Sequence, residues 1–558
     1  MISSRLVLGS GAAVVNSPPR LAALASWDRW GPVARRGVLA AVAVGLMVWA
    51  FLRWRHSQAV FDDAFISYRY ARNLFSGQGL VFNPGEYVEG YTNFLWTLIA
   101  ALGIALRQDP LHTTRAVGVA AYLCTILFGV VAAGGQVRRR RDGLVLALFT
   151  LLVLPPTYPA FAGAGLETSF VGLMVLLTGL VQHLWAPRTG LVKWLAGVPP
   201  LVAVLTRLDA GIACAASALV MVSTEPRSAT ALRARLRPAI GPTAIGLAAY
   251  LLWKLHYYGD ILPNTYYAKA ADLASFDLGV EYLFGFVRSC PASLLLVALT
   301  LFGSLAAQDP RSRAFARYAG IALLAQAIFI AKVGGDFMEY RLMWEYWPVL
   351  VAGAAMGAFE LLRRNLVAAA IVLAASLALA PSPVVLEMEH GMQSVQEMDG
   401  IAQRSRLVGV ALNTALPPDT VIATRAAGMA YFLPGLRVID QWGLNDRLVS
   451  HSPIPGIRTR GHVKQASRDY LAARGVNLEF GHPILCRCSN PRKQSQPNVF
   501  IRLGSGDECV RSRYLTPTAD LTRYFCSHPE RFVLHLVDCP ATTDAGQRTA
   551  PAGSEARP

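Results

Sequence analysis

Eleven apolar stretches separated by short polar breaks run along the chain, at 37–54, 112–135, 143–162, 168–186, 194–206, 210–223, 239–257, 288–306, 314–332, 344–362 and 365–381. Most approach the roughly 20 residues that a helix requires to cross a bilayer. The pattern predicts a mostly α, polytopic membrane domain over 37–381. A further run, "FLWTLIAALGIAL" at 94–106, is too short to span and reads as a helix lying at the membrane surface.

The polar breaks are of two kinds. "RRRRD" (138–142), "TEPRSATALRARLRP" (224–238), "QDPRSRAFAR" (308–317) and Arg363–Arg364 carry arginine and little else. With 94–106 kept out of the span count, all four fall in the cytoplasm, as the excess of Lys and Arg in cytoplasmic loops requires. This threading predicts the N-terminus inside, with residues 1–36 as a cytoplasmic segment before an uncleaved first span. The other breaks then face outward: "FDDAFISYRYARN" (61–73), "GAGLETS" (163–169), "TRLDAG" (206–211), "YYGDILPNTYYAKA" (257–270) and "KVGGDFMEYR" (332–341). Five acid-bearing segments on one side of a membrane read as the wall of a site.

Beyond Pro381 the pattern changes to mixed polar and apolar. "TVIAT" (420–424) and "LRVID" (436–440) read as strands, and "HVKQASRDYLAARG" (462–475) as a helix. Residues 382–540 are predicted to form an extracytoplasmic α/β domain, and 541–558 a disordered tail.

Composition sharpens this. The chain is 54% hydrophobic and 16% charged, well below the quarter usual for soluble domains. Its formal charge of +17 sits in loops between spans, which argues for topology and against nucleic acid as a partner. Three of the eight cysteines (Cys124, Cys214 and Cys290) lie in or beside apolar runs. The other five (Cys486, Cys488, Cys509, Cys526 and Cys539) lie in the C-terminal region, where an extracytoplasmic setting predicts two disulfides and one thiol left over. The sequence does not decide the pairing.

Candidate chemistry concentrates in the outward segments. On a helical period, Asp62 shares a face with Phe65, Arg69 and Arg72, and Asp63 with Ser67, Tyr70 and Asn73. One aspartate at such a place is explained by helix capping. A pair beside a membrane exit, followed by two arginines, points to glycosyl transfer. There a carboxylate takes a proton from a hydroxyl or steadies an oxocarbenium-like centre, and arginines hold a phosphate leaving group. Arg69, Arg72, Lys269 and Arg341 are the candidate phosphate ligands. Asp336 joins Asp62 and Asp63 as a candidate catalytic acid, with Glu339 three residues on and able to share its cavity. Tyr68, Glu89, Tyr91, Asn93, Glu167, Arg207, Asp209, Asn264, Tyr267 and Glu339 are candidates for sugar or acceptor contacts. The plainer readings are an aromatic belt at the membrane surface for the tyrosines, and a local ion pair for Arg207 and Asp209. No nucleotide-binding, nucleophile-elbow or zinc-protease motif occurs, and an outward-facing site has no access to cytoplasmic nucleotide sugars. A lipid-linked sugar phosphate is the expected donor. No metal site is predicted and no obligatory cofactor, because Arg and Lys can neutralise a monophosphate; a divalent cation stays open.

At these residues the sequence resembles the AftB-type arabinofuranosyltransferases. The matching blocks are "DDAFISYRYARNLFSGQGLVFNPGEYVEGYTNFLWTL", "GLETS", "YYGDILPNTYYAK", "GGDFMEYR" and "GLNDR" (443–447). They run in order from about residue 60 to 450. The resemblance implies a GT-C membrane fold in a bacterial inner membrane and a polyprenyl-phosphate-linked D-arabinofuranose donor. It also implies an extracytoplasmic glycan or glycoconjugate acceptor, and an acidic pair at Asp62 and Asp63. "TRLD" departs from an "RPD" pattern, with Leu208 in place of proline. A GT-C transferase for another lipid-linked sugar, of mannose or aminoarabinose type, is the alternative, and a lipid-linked-sugar flippase a more distant one. Transporters place ionisable groups near mid-membrane, whereas these acids gather at one face.

Overall fold

The computed structural model describes residues 31–137, 142–155, 157–185, 190–224, 228–269, 275–380, 391–453, 460–489 and 495–540. The arginine run at 138–141, the first thirty residues and the 541–558 tail lie outside them. The fold is mostly helical, with one sheet in the C-terminal part.

The apolar stretches form helices close to their expected bounds. Pro32–His56 and Pro110–Gly134 each start with proline in the first turn, where its missing N–H costs nothing. Pro310–Val333 starts the same way under an Asp309 cap and ends at Gly334 in the left-handed region. Among the described residues four helices are long and apolar enough to cross a membrane, five if the pair Phe276–Ser289 and Ala292–Ala306, bent by 97°, is one span. This is the build of a multi-pass membrane protein. The threading into eleven spans meets two irregular places. The stretch at 143–162 divides into Gly143–Leu146, Ala147–Leu152 and Thr157–Gly163, and residues 194–223 form two short helices broken at Arg207. Phe94–Ala105 is a separate twelve-residue helix, as its length requires.

In the C-terminal part, Val395–Ala415 begins with a capping box in which Ser394 and Glu397 satisfy each other's backbone. A six-stranded sheet follows in the order β2-β1-β3-β5-β4-β6, with β1 Val421–Thr424, β2 Arg437–Asp440, β3 Leu478–Arg487, β4 Asn498–Arg502, β5 Glu508–Tyr514 and β6 Phe532–His535. β1 pairs in parallel with β2 and β3, and the remaining pairs are antiparallel. Both expected strands are present. The expected helix at 462–475 shortens to Arg468–Ala473, started by a Ser467 cap. Disulfides join Cys488 to Cys509 and Cys526 to Cys539. Cys486 stays outside both, its thiol donating to the Cys509 carbonyl at 3.5 Å.

The two parts share one core. Ile66, Tyr70, Leu80, Phe82 and Tyr91 pack with Val408, Leu412, Met429, Leu433 and Val438. The segment 61–93 therefore lies between the long apolar helices and the sheet.

Candidate functional site

The helix Asp62–Phe75 starts with both aspartates in its first turn, where the positive end of the helix dipole favours carboxylates. Both side chains are half-buried, yet they face different surroundings. Asp62 Oδ2 accepts from Gly428 N at 2.9 Å, and a methyl group at Gly428 would overlap the Asp62 main chain and carboxyl. Burial pushes the Asp62 carboxyl up to about 7, the charge of Asp63 adding to it and the bond from Gly428 and the nearby Ser405 hydroxyl opposing it.

Asp63 faces the other way. Burial raises its pKa above the ordinary value, the cations Lys269 and Arg341 pull it down, and Asp336 and Glu167 push it up again. Its surroundings thus come from three other acid-bearing segments, and "TRLDAG" adds a fourth. Arg207 holds Asp209 through two bonds (3.0 and 2.7 Å), Glu167 at 3.1 Å and Glu345 at 3.4 Å. Asn93 donates to the second Glu167 oxygen at 2.9 Å and accepts from Ser67, on the Asp63 face of the first helix, at 2.9 Å. Residues from all five acid-bearing segments meet in one charged cluster.

Asp336 is fixed by Arg341 at 2.7 Å and by its neighbour's N–H, Phe337 N, at 3.0 Å. Burial would raise its pKa, but the charges of Arg341, Lys269 and Arg207 outweigh this and hold it below the ordinary carboxylate value. The turn requires Gly334 and Gly335, both at positive φ (85° and 80°), and Gly335 also makes room for the Tyr282 ring, which a Cβ would approach to 2.6 Å. Tyr340, at φ 49°, carries the same conformation without being glycine, a strained residue immediately before Arg341. Lys269 differs from the other cations. It lies half-buried 6.0 Å from the Phe337 ring, and among the described residues no acid stands within ion-pair distance of its ammonium group.

Several sequence-predicted residues lie elsewhere and hold the fold together. Arg69, expected to bind phosphate, is buried. It donates to the carbonyls of Phe82 (2.7 Å), Ala430 (2.5 Å), Leu433 (2.9 Å) and Leu436 (3.0 Å), and to Asn83 Oδ1 (3.2 Å). Arg72 bonds the Tyr431 carbonyl and lies 3.8 Å over that ring. With their donors turned to residues 430–436, neither joins the charged cluster. Tyr68 pairs with Thr114 (2.5 Å), and Tyr91 with Tyr258 (3.1 Å). Glu89 is locked by Lys254 at 2.6 Å and Tyr250 at 2.8 Å. Asn264 clamps the carbonyls of Gly443 and Leu444 at 2.8 and 2.9 Å. Tyr267 bonds Asp260 and lies against the His451 ring. Glu339 does not share the Asp336 cavity: it accepts from Thr157 at 2.6 Å and Val395 N at 3.1 Å.

Two acids of this neighbourhood escape a reading of the loops. Glu345 sits inside the apolar run "LMWEYWPVL" and is buried against Arg207; an acid in an apolar stretch is the signal that would have found it. Asp440, the last residue of β2, lies across from Asp62. Burial pushes it up to about 6 while bonds from Asn445 and Trp442 oppose that. Among the described residues no three His, Cys, Asp or Glu side chains are grouped as metal ligands.

The chain is 27% identical over 342 residues to a terminal β-(1→2)-arabinofuranosyltransferase of Corynebacterium glutamicum, covering 55% of this chain and 48% of that one. It is 26% identical over 321 residues to the protein of the same name from Mycobacterium tuberculosis, covering 50% of each. The chain thus aligns with about half the length of these curated relatives, and they bear the name that the motif blocks suggested. Residues 393–514 match a family described as a domain of unknown function (DUF8728). Among solved structures, the apo oligosaccharyltransferase of Archaeoglobus fulgidus has a TM-score of 0.45 at 12% identity, over 74% of this chain and 65% of that one. ArnT of Cupriavidus metallidurans, solved with undecaprenyl phosphate, has the same TM-score and identity over 88% of this chain and 100% of that one.

Proposed function

We propose that this protein is a GT-C membrane glycosyltransferase that moves a pentofuranose, D-arabinofuranose, from a polyprenyl monophosphate to an extracytoplasmic glycan. The observation that carries this reading is the half-buried Asp63 carboxylate beside Lys269, a cation with no acid of its own, inside a cluster drawn from five loops. Asp63 takes the proton of the acceptor hydroxyl or steadies the anomeric centre as the bond to phosphate breaks. Lys269 and Arg341 neutralise the departing lipid monophosphate, a task for which a charge-assisted bond is well suited. Asp336 holds Arg341 in place. Glu167, Arg207, Asp209 and Asn93 form the opposite wall, where an acceptor sugar finds both donors and acceptors. The cluster and the C-terminal part lie on the extracytoplasmic side, with the N-terminus in the cytoplasm. The resemblance in the motif blocks and the names of the curated relatives support the choice of sugar.

The test is transfer by the purified full chain from a panel of polyprenyl-phosphate sugars carrying arabinofuranose, mannose or aminoarabinose. Transfer from the arabinofuranose donor alone is the expected result. Transfer from another member of the panel replaces the sugar but keeps the reaction, and movement of donor across vesicles without any transfer overturns it.

A further inference from the structure

The "GLNDR" loop is built with more care than the charged cluster requires. Asp440 accepts from Trp442 N (3.0 Å), Asn445 N (3.0 Å) and Asn445 Nδ2 (2.9 Å). Asn264 holds Gly443 and Leu444 and accepts from Ser450 Oγ at 2.7 Å. Tyr70 donates to Asn445 Oδ1 at 3.0 Å, and Asp446 caps the short helix Arg447–Ser450. From Gly443 to Ser450 every side chain is buried except two: Arg447 is exposed, and Leu448 is 65% exposed. Among the described residues nothing bonds or pairs with the Arg447 guanidinium.

Both open onto a groove of about 320 Å³ at the seam between the first external segment and the sheet. Its other charged lining is Glu86, Arg437, Asp446 and Arg474. Glu86 pairs with Arg437 at 2.5 Å and Arg474 at 2.6 Å, and Arg474 reaches Asp446 at 3.1 Å. Two of the three cations, Arg437 and Arg474, are fixed by these anions, and Arg447 stands apart from them along the wall. A phosphate entering here would gain Arg447 but meet Glu86 and Asp446. A chain of neutral sugars carries hydroxyls that both donate and accept, and so can satisfy both signs.

We infer that this groove is a subsite for a neutral saccharide chain, holding the acceptor glycan away from its reacting end, with Arg447 as the residue that recognises it. This rests on the transferase reading, and it adds where and through which residue the acceptor is gripped. Tyr70, which braces the loop, lies two helical turns beyond Asp63, roughly 10 Å along the helix axis at 1.5 Å per residue. On this assignment a short acceptor occupies the charged cluster alone, and a long one occupies the cluster and the groove.

The experiment compares the full chain with its Arg447→Ala variant on a di- and a hexa-arabinofuranoside. The variant is expected to raise KM for the hexasaccharide about tenfold and to leave kcat and the disaccharide KM within about twofold, as loss of one charge-assisted bond predicts. An equal rise for both acceptors, or no rise for either, overturns the inference. Saturation-transfer NMR of the hexasaccharide reads the groove without donor or turnover, so a chain that transfers nothing but binds the hexasaccharide through Arg447 rejects the transferase reading and keeps the subsite. Displacement of the hexasaccharide by inorganic phosphate would make the groove an anion site and overturn its assignment to sugar.

Discussion

Asp62 and Asp63 are consecutive, share a helix turn and are both half-buried, yet their neighbours have almost nothing in common. Asp62 meets the C-terminal part: a main-chain N–H of Gly428, the hydroxyl of Ser405 and, across from it, the acid Asp440. Asp63 meets cations and acids from the membrane-side loops. The difference follows from helical geometry, which turns successive residues about 100° apart. An acid surrounded by neutral donors and another acid is suited to keep a proton and hold a position. An acid beside one paired and one unpaired cation is suited to give a proton up and take it back.

The sharpest way to break this contrast is to neutralise each acid in turn. Asp63→Asn should lower transfer by about 10²–10⁴-fold, the range of a lost general base, with the melting temperature unchanged. Asp62→Asn keeps an oxygen for Gly428 N and should cost less than about tenfold. Transfer assays on the two variants decide, and the reverse ranking would exchange the roles. Removing the cation that faces Asp63 comes next. Lys269→Ala should weaken donor use by about 1.5–3 kcal/mol, the worth of a bond to a charged group, read as a raised KM for the lipid-linked sugar with acceptor KM unmoved. On the Asp62 side, Gly428→Ala forces a methyl into the Asp62 main chain and should destabilise by about 1–3 kcal/mol. Thermal unfolding measures this, and kcat should fall with it as the helix start is displaced.

The same contrast also sets the pH dependence. Asp62 is raised from 3.8 to about 7 in the folded chain, so between those values the folded state binds more protons than the unfolded. Its contribution to stability therefore falls as pH rises through that window. In Asp62→Asn this contribution disappears, and the variant's melting temperature should gain on the parent between pH 4 and 7. The activity limb set by Asp63 moves the other way, because the proton it holds must leave before it can act. Transfer should increase with pH through a range above that of an ordinary carboxylate.

The helices and their spacing were legible because apolar runs leave no other place for these residues, and the strands at 421–424 and 437–440 because β-branched residues cluster there. The charged cluster was legible as a set of loops on one side. Individual arginines were not. Arg69 and Arg72 carry the same charge as a phosphate ligand, and what claims them is a row of carbonyls more than 350 positions away in the chain. Glu345 stayed hidden for the opposite reason: its neighbours in sequence are apolar, and its partner Arg207 comes from another loop.

The contact between Asp62 and Gly428 joins residues 366 positions apart. At a synthesis rate of about 5–20 residues per second, the first external helix waits roughly 20–70 s after emerging before that partner exists. During this interval the start of the helix has no Gly428 to lean on, and Arg69 and Arg72 have no carbonyls from 430–436 to hold. The Asp63 carboxylate is thus set in its final direction only after residues 428–436 have been made and have folded onto the helix start.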